Sequence, residues 1–211
     1  RPDYVLMWGW GVMNQVAVQE AANIGFPMEN FIGNWWAGAE HDVIPAGDAA
    51  NGYKSLNMNR IDASLPVFDD IRTLVHDAGN AAGDGSNIGT VLYTRGMYAA
   101  MLAAEAVATA QGIHGVAAIT PAMMRDGMEA LDITAARMEE LGMANIGPEF
   151  AVSCQDHGGS GLGIVQQWDA SAGAWVALTD YIAPDDAVTL PLIMEDSAAF
   201  AAENNIEAGC M

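Results

Sequence analysis

Basic side chains are scarce in this sequence. Lys54 is the only lysine, and lysine and arginine together number 7 in 211 residues, against 27 aspartates and glutamates, for a formal charge of -20. A surface of that sign repels phosphate backbones and anionic lipid, so no nucleic acid is expected as a partner. The acidity is what solubility or a saline habitat would ask for, and by itself it does not identify a cationic ligand. Cysteine is nearly absent too. Cys154 and Cys210 are the only two, too few for a disulfide scaffold and without the CxxC or Cys/His spacing of a zinc site. One bridge between them would close a long loop, be worth about 4 kcal/mol in the chain-entropy picture, and persist only in an oxidising compartment. Apolar runs are far shorter than the roughly 20 residues of a membrane helix, so no membrane insertion is expected. An initiator methionine and a signal peptide are missing: the sequence begins at Arg1 and enters an apolar run within three residues, which leads us to expect a segment of a longer chain.

What is present is apolar. Hydrophobic residues make up 52% of the sequence, enough to bury a core in one domain or two small lobes. Tyr4–Trp8 reads as a strand bounded by glycine, followed by a helix over Val12–Ile24 that Gly25 and Pro27 stop. Val12, Val16, Ala17 and Ala21 share one face of that helix and should point inward, with Asn14, Gln15 and Gln19 on the other face. Phe31–Trp36 and Gly52–Met58 read as further strands. Strand, helix and strand at this spacing predict a βαβ unit with parallel strands. From 60 to 142 nearly everything is helical: Leu65–Ala78 with Pro66 in its first turn, Thr94–Gln111, a helix opened by Thr120 as N-cap and Pro121, and Thr134–Leu141 stopped by Gly142. Gly79–Asn87 reads as a flexible loop, and Phe150–Cys154 returns to strand. Ile164–Asp169 and Trp175–Asp180 flank "ASAG" as a hairpin, and a last helix is expected over Asp196–Asn204. Apolar stripes on the 60–142 helices would face water in this chain alone, which predicts self-association.

The stretch "GWGVMN" supplies Gly9 and Gly11 of a dinucleotide fingerprint, but Asn14 stands where its third glycine belongs, and the next strand ends in Asn34, Trp35 and Trp36 rather than an acid. Neither a P-loop nor GxSxG occurs. Glu40, His41 and Asp42 in "AGAEHD" read as a solvated loop, because adjacent residues cannot all reach one metal. Cys154, Asp156 and His157 in "CQDHGGSG" lie too close together for the usual thiol nucleophile and base. No catalytic residue, metal or cofactor is assigned, and the protein is not expected to be an enzyme. What stands out is tryptophan. Trp8 and Trp10 follow the first strand, and Trp35 and Trp36 end the second. Ligands of open α/β sheets lie at the carboxyl ends of strands, so the four indoles predict an aromatic-lined pocket for an apolar or cationic small molecule, with Glu40 as a carboxylate at its rim.

In order along the chain, "PDYVLMWGWGVMNQVAVQEA", "FIGNWWAGAEHDV", "AGDAANGYKSLN", "LYTRGMYAAMLAAEAVATAQ", "MEALDITAARMEELG" and "CQDHGGSGLGIVQQWDA" resemble the C-terminal half of the type I periplasmic solute-binding proteins of ABC transporters, in particular the branched-chain amino acid (Leu/Ile/Val) group. The resemblance implies an incomplete α/β fold of that type: a Rossmann-like parallel sheet in one lobe and a helix-rich part of the other. Residues 1–57 and 161–185 would be a second-lobe segment, 60–157 a first-lobe segment and 186–211 a C-terminal extension, with "LNMNR" and "DHGGSG" as interlobe crossovers. It implies a periplasmic protein that captures a solute between two lobes and docks on a permease, with Trp8, Gly9, Trp10, Trp35, Trp36 and Glu40 at the site. The family's ammonium-binding acid lies just after the second strand. Here that position carries Trp35 or Trp36, which points away from a free branched-chain amino acid and toward an amide, a short peptide or an aromatic compound. The alternatives are a nucleotide-dependent oxidoreductase or transferase, and a ligand sensor of the same fold.

Overall fold

The expected βαβ unit forms. In a computed structural model, which describes residues 2–207, strand β1 (Val5–Met7) leads through Gly11 into helix α1 (Val12–Asn23) and then into β2 (Phe31–Asn34). Helix α2 (Glu40–Val43) and a 3-10 segment over Ile44–Ala50 carry the chain to β3 (Lys54–Asn57). β1, β2 and β3 are parallel neighbours, with Leu6 opposite Ile32 and Gly33 opposite Ser55. β6 (Ile164–Asp169) returns antiparallel beside β3, and β7 (Ala174–Ala177) completes the expected hairpin, giving the order β1-β2-β3-β6-β7. The turn after β6 is closed by Asp169, whose carboxylate accepts from Ser171 and Ala172 N–H groups. This sheet belongs to one compact unit, made of 1–101, 135–148 and 163–181. Its core gathers Val18, Phe26, Met28, Phe31, Val43, Tyr53, Val91, Trp168 and Trp175. Period-two burial puts Ile164, Gln166 and Trp168 on the inward face of β6, as alternation requires.

The same unit includes α3 (Pro66–Ile71), which passes into a π-helical turn over Arg72–His76, and α6 (Ala135–Glu140). Helix α4 runs from Val91 to His114, longer at both ends than the expected Thr94–Gln111.

The second unit is built from 102–134, 149–162 and 182 onward. It contains the latter part of α4, then α5 (Pro121–Glu129), which starts as expected: Thr120 Oγ1 accepts from Met123 N at 3.3 Å, and Pro121 takes the first position. Gly127 lets α5 approach α4 closely, since a Cβ there would strike the Ala106 carbonyl and lie 2.7 Å from the Ala110 methyl. Strands β4 (Asp132–Ile133) and β5 (Phe150–Ala151) pair antiparallel. The last helix, α7, spans Asp186–Asn204 and so starts ten residues before the expected Asp196. Pro191 sits in its second turn, and the helix continues past it.

Two expectations are overturned. On α1 the inward residues are Asn14 and Val18, while Val12 and Val16, expected inside, are exposed at 70% and 50%. Ala17 and Ala21 do pack on the core, which Val18 joins, and a buried amide anchors the helix beside them. Glu40–Val43 is not a solvated loop but a helical turn, and Asp42 is wholly buried because its Oδ2 accepts from Ala39 N at 3.0 Å and caps that turn. Among the described residues no helix is long and apolar enough to cross a membrane. The expected Cys154–Cys210 bridge involves Cys210, which lies outside the described residues.

Candidate functional site

At the carboxyl ends of β1 and β2 the chain makes two turns, Trp8–Gly11 and Trp35–Ala39, and side chains from elsewhere lace them together. Asn14 Nδ2 donates to the Trp36 carbonyl at 2.7 Å, across 22 residues, tying the first turn's helix to the second turn. Tyr53 Oη donates to the Ala37 carbonyl at 2.7 Å. Asn57 Nδ2 donates to Ser55 Oγ at 2.7 Å and to the Gly38 carbonyl at 3.4 Å. Arg95, the fifth residue of α4, donates Nη2 to the Trp35 carbonyl at 2.6 Å and to Asn57 Oδ1. Trp35 sits at φ 48°, in the left-handed region that bulky side chains avoid. A non-glycine residue persists there only where surrounding contacts over-determine the backbone, and the four donors aimed at residues 35–38 do so.

Three of the predicted indoles are brought together. Trp10 and Trp36 have ring centroids 5.6 Å apart, and Trp35 and Trp36 meet edge-to-face at 6.0 Å. The Arg95 guanidinium lies 4.0 Å above the Trp35 ring and 5.8 Å from that of Trp36, a cation–π arrangement. Trp10 and Trp36 remain open, at 69% and 47% exposure. Trp8 is 80% exposed and, among the described residues, makes no ring contact. Gly9 is buried under Asn14; a Cβ there would overlap Asn14 Oδ1 and the Met7 methyl. The failed third glycine of the nucleotide fingerprint is thus the residue that locks the two turns.

Glu40 stands elsewhere. Both carboxylate oxygens accept from Val91 N, at 3.1 and 3.2 Å, at the start of α4, where a helix favours negative charge. Burial pushes its pKa up from the ordinary carboxylate value. It lines two cavities, one of about 510 Å³ with Arg60, Ile88 and Trp175, and one of about 890 Å³ with His41, Pro45 and Tyr93; neither is lined by Trp8, Trp10, Trp35 or Trp36. Asp42 is also raised, first by burial, against the stabilising N–H of Ala39 and the neighbouring His41, Asn14 and Arg95. Arg95 is pushed down to about 10 by burial, offset by Asp42 and Glu40, and stays charged at neutral pH. In the second unit His114 meets Asp126 at 3.1 Å, and His157 meets Glu129 at 3.5 Å. Asp156, in the same turn as Cys154, pairs its backbone with that of Ser153. Among the described residues no group of three or more His, Cys, Asp or Glu is placed to hold a metal.

A raised carboxylate gives a pH prediction. Below its ordinary value Asp42 is protonated folded and unfolded alike; as pH rises, the folded chain keeps the proton longer, so stability from this group falls through that window and stays lost above it. Asp42→Asn keeps an acceptor for Ala39 N without the buried charge. Its stability relative to wild type is expected to improve from pH 4 to pH 7, read by urea unfolding at each pH; a difference independent of pH would overturn the assignment.

Sequence reasoning missed Arg95, Asn57, Tyr53 and the buried role of Asn14. The one legible signal was a lone arginine in the alanine-rich first half of a helix, in a chain with 7 basic residues.

No family model matches the chain, and no curated protein sequence matches it either. Solved structures do. A protein described as an ABC transporter permease from the Pseudomonas fluorescens group is 38% identical, with a TM-score of 0.88, over 98% of this chain and 49% of that one. A branched-chain amino acid ABC transporter protein from Thermus thermophilus, solved with bound valine, is 20% identical, with a TM-score of 0.65 over 89% of this chain and 48% of that one. The leucine-binding protein LivK from Thermotoga maritima is 16% identical, with a TM-score of 0.59 over 88% and 46%. The chain therefore spans about half the length of the structures it matches. It is a part of the type I periplasmic-binding fold, of the kind found in ABC-transporter substrate-binding proteins of the leucine/isoleucine/valine-binding type.

Proposed function

We propose that the protein is the solute-binding component of an ABC importer, working in the periplasm, and that it captures a small molecule between two lobes, without chemistry, before docking on a permease. One observation carries this reading: two strand-end turns at the ligand-binding edge of a parallel sheet are braced by four polar side chains so as to hold Trp10 and Trp36 5.6 Å apart and open to solvent. Bracing of that kind pre-organises a surface for a ligand and reduces what binding must order. Trp8, Gly9, Trp10, Trp35 and Trp36 form this wall, with Glu40 steadying it through α4. The lobe division is part of the proposal: 1–57 and 161–185 in the second lobe, 60–157 in the first, 186–211 an extension. Closure would be a hinge motion.

The intact protein, titrated with amino acids, amides, short peptides and aromatic acids, should change its tryptophan fluorescence and gain thermal stability with at least one class. At about 100-fold excess over Kd the gain is roughly 2.7 kcal/mol. Trp36→Ala should abolish the fluorescence response while leaving the circular dichroism unchanged. If no solute in the whole panel shifts the melting curve, the reading is wrong.

A further inference from the structure

We infer that the solute is a carboxylate with an apolar or aromatic body and no ammonium group, and that Arg95 is the residue that selects it. This rests on the solute-binding reading and narrows it to a chemical class. Three observations converge. First, the ammonium position of an amino acid has no carboxylate available at this wall. Asp42 is wholly buried, with Oδ2 taken by Ala39 N and Oδ1 3.4 Å from His41 Nε2, and Glu40 faces Val91 N with both oxygens. Second, the indole face that would hold a solute cation is already covered: the guanidinium of Arg95 lies 4.0 Å over Trp35. A second cation would meet both an occupied ring and a like charge. Third, Arg95 is half satisfied. Nη2 is engaged by Trp35 and Asn57, but Nη1 is buried with no hydrogen-bond partner. A guanidinium presents its donors as a planar fork that matches a carboxylate, and the carbon of this one lies 4.0 Å from the Trp35 ring and 5.8 Å from that of Trp36.

The surroundings supply the rest. Trp10 and Trp36, the two open indoles, offer dispersion to a flat apolar body. The chain's excess of acid over base, 27 to 7, makes this local cation matter more: an anion will not settle on such a surface except where a positive group is held for it. Bracing of the Trp35 turn by Nη2 alone would leave Nη1 without purpose.

A matched series tests this on the intact protein: phenylacetate, phenylacetamide, phenethylamine and phenylalanine share one apolar body and differ only in charged groups. Calorimetry should show phenylacetate binding at least about 10-fold tighter than phenethylamine and phenylalanine, the selectivity of a site built for one polar group. Arg95→Gln should erase the advantage of phenylacetate over phenylacetamide. Arg95→Lys, which keeps the charge and a brace to Trp35 but loses the fork, should keep only part of that advantage. Because the ratio between ligands is read, a general loosening of the turn does not mimic the result. If Arg95→Gln fails to fold, the wild-type series and Arg95→Lys decide. An ammonium-bearing ligand that binds as well as phenylacetate or better overturns the inference and leaves the solute-binding reading standing. An undiminished carboxylate preference in Arg95→Gln removes Arg95 from the assignment. If nothing in this series or the wider panel binds, both readings fall.

Discussion

Replacing Asn14 by alanine should cost about 3 kcal/mol and lower the melting temperature by about 10 °C. The side chain is wholly buried, and its Nδ2 donates to the Trp36 carbonyl at 2.7 Å. Truncation therefore leaves the Trp36 carbonyl short of its donor and opens a small void beneath Gly9. Losing one partner costs more than the bond was worth, because the other keeps its desolvation penalty. The effect should be larger than for Val12→Ala or Val16→Ala on the same helix, whose side chains are half exposed or more and should change stability by under about 1 kcal/mol. Thermal unfolding followed by circular dichroism measures all three. Should Asn14→Ala melt within two degrees of wild type, the buried amide is not the anchor of α1.

Gly33→Ala is expected to be comparably severe, at about 3 kcal/mol, the upper range for forcing a methyl into a packed interior. Gly33 lies in β2, directly before the tryptophan turn. A Cβ there would overlap the Ala37 carbonyl oxygen and the Tyr53 hydroxyl, and would come within 2.8 Å of the Ala37 carbonyl carbon. Backbone cannot swing away as a side-chain end can, so the strand and the turn must part, and the Tyr53–Ala37 hydrogen bond goes with them. The loss should appear in two readouts at once: a lower melting temperature and a changed tryptophan emission, since Trp35 and Trp36 ride on the displaced turn. Gly96→Ala is the control. That glycine is exposed inside α4 with nothing near its Cβ position, so alanine should stabilise by about 0.5 to 1 kcal/mol. A Gly33→Ala protein that behaved like Gly96→Ala would show that the close approach is not needed.

Much of the local structure was legible because its signals are local. Thr120 and Pro121 open α5 as capping chemistry demands, Gly142 ends α6 at φ 71°, and the hairpin of β6 and β7 follows from two alternating runs around "ASAG". The parallel pairing of β1, β2 and β3 follows from strand, helix and strand at the right spacing. Where the reading failed, a distant partner had reversed a local preference. Asn14 sits in a helix whose periodicity turns it outward, but the Trp36 carbonyl, 22 residues away, draws it in. Glu40–Val43 has a loop's composition, but a buried aspartate caps it into a helical turn.

The sequence by itself determined the order of strands and helices, the acidic surface and the placing of tryptophans at two strand ends, because spacing, propensity and charge are properties of neighbours along the chain. Only the tertiary structure decided that Trp10, Trp35 and Trp36 meet while Trp8 stands apart, that Glu40 caps α4 instead of joining them, and that Arg95, 60 residues beyond Trp35, lies across its ring. Those outcomes depend on which buried polar groups find partners across the sheet, and a group that must be satisfied in three dimensions leaves no period in one.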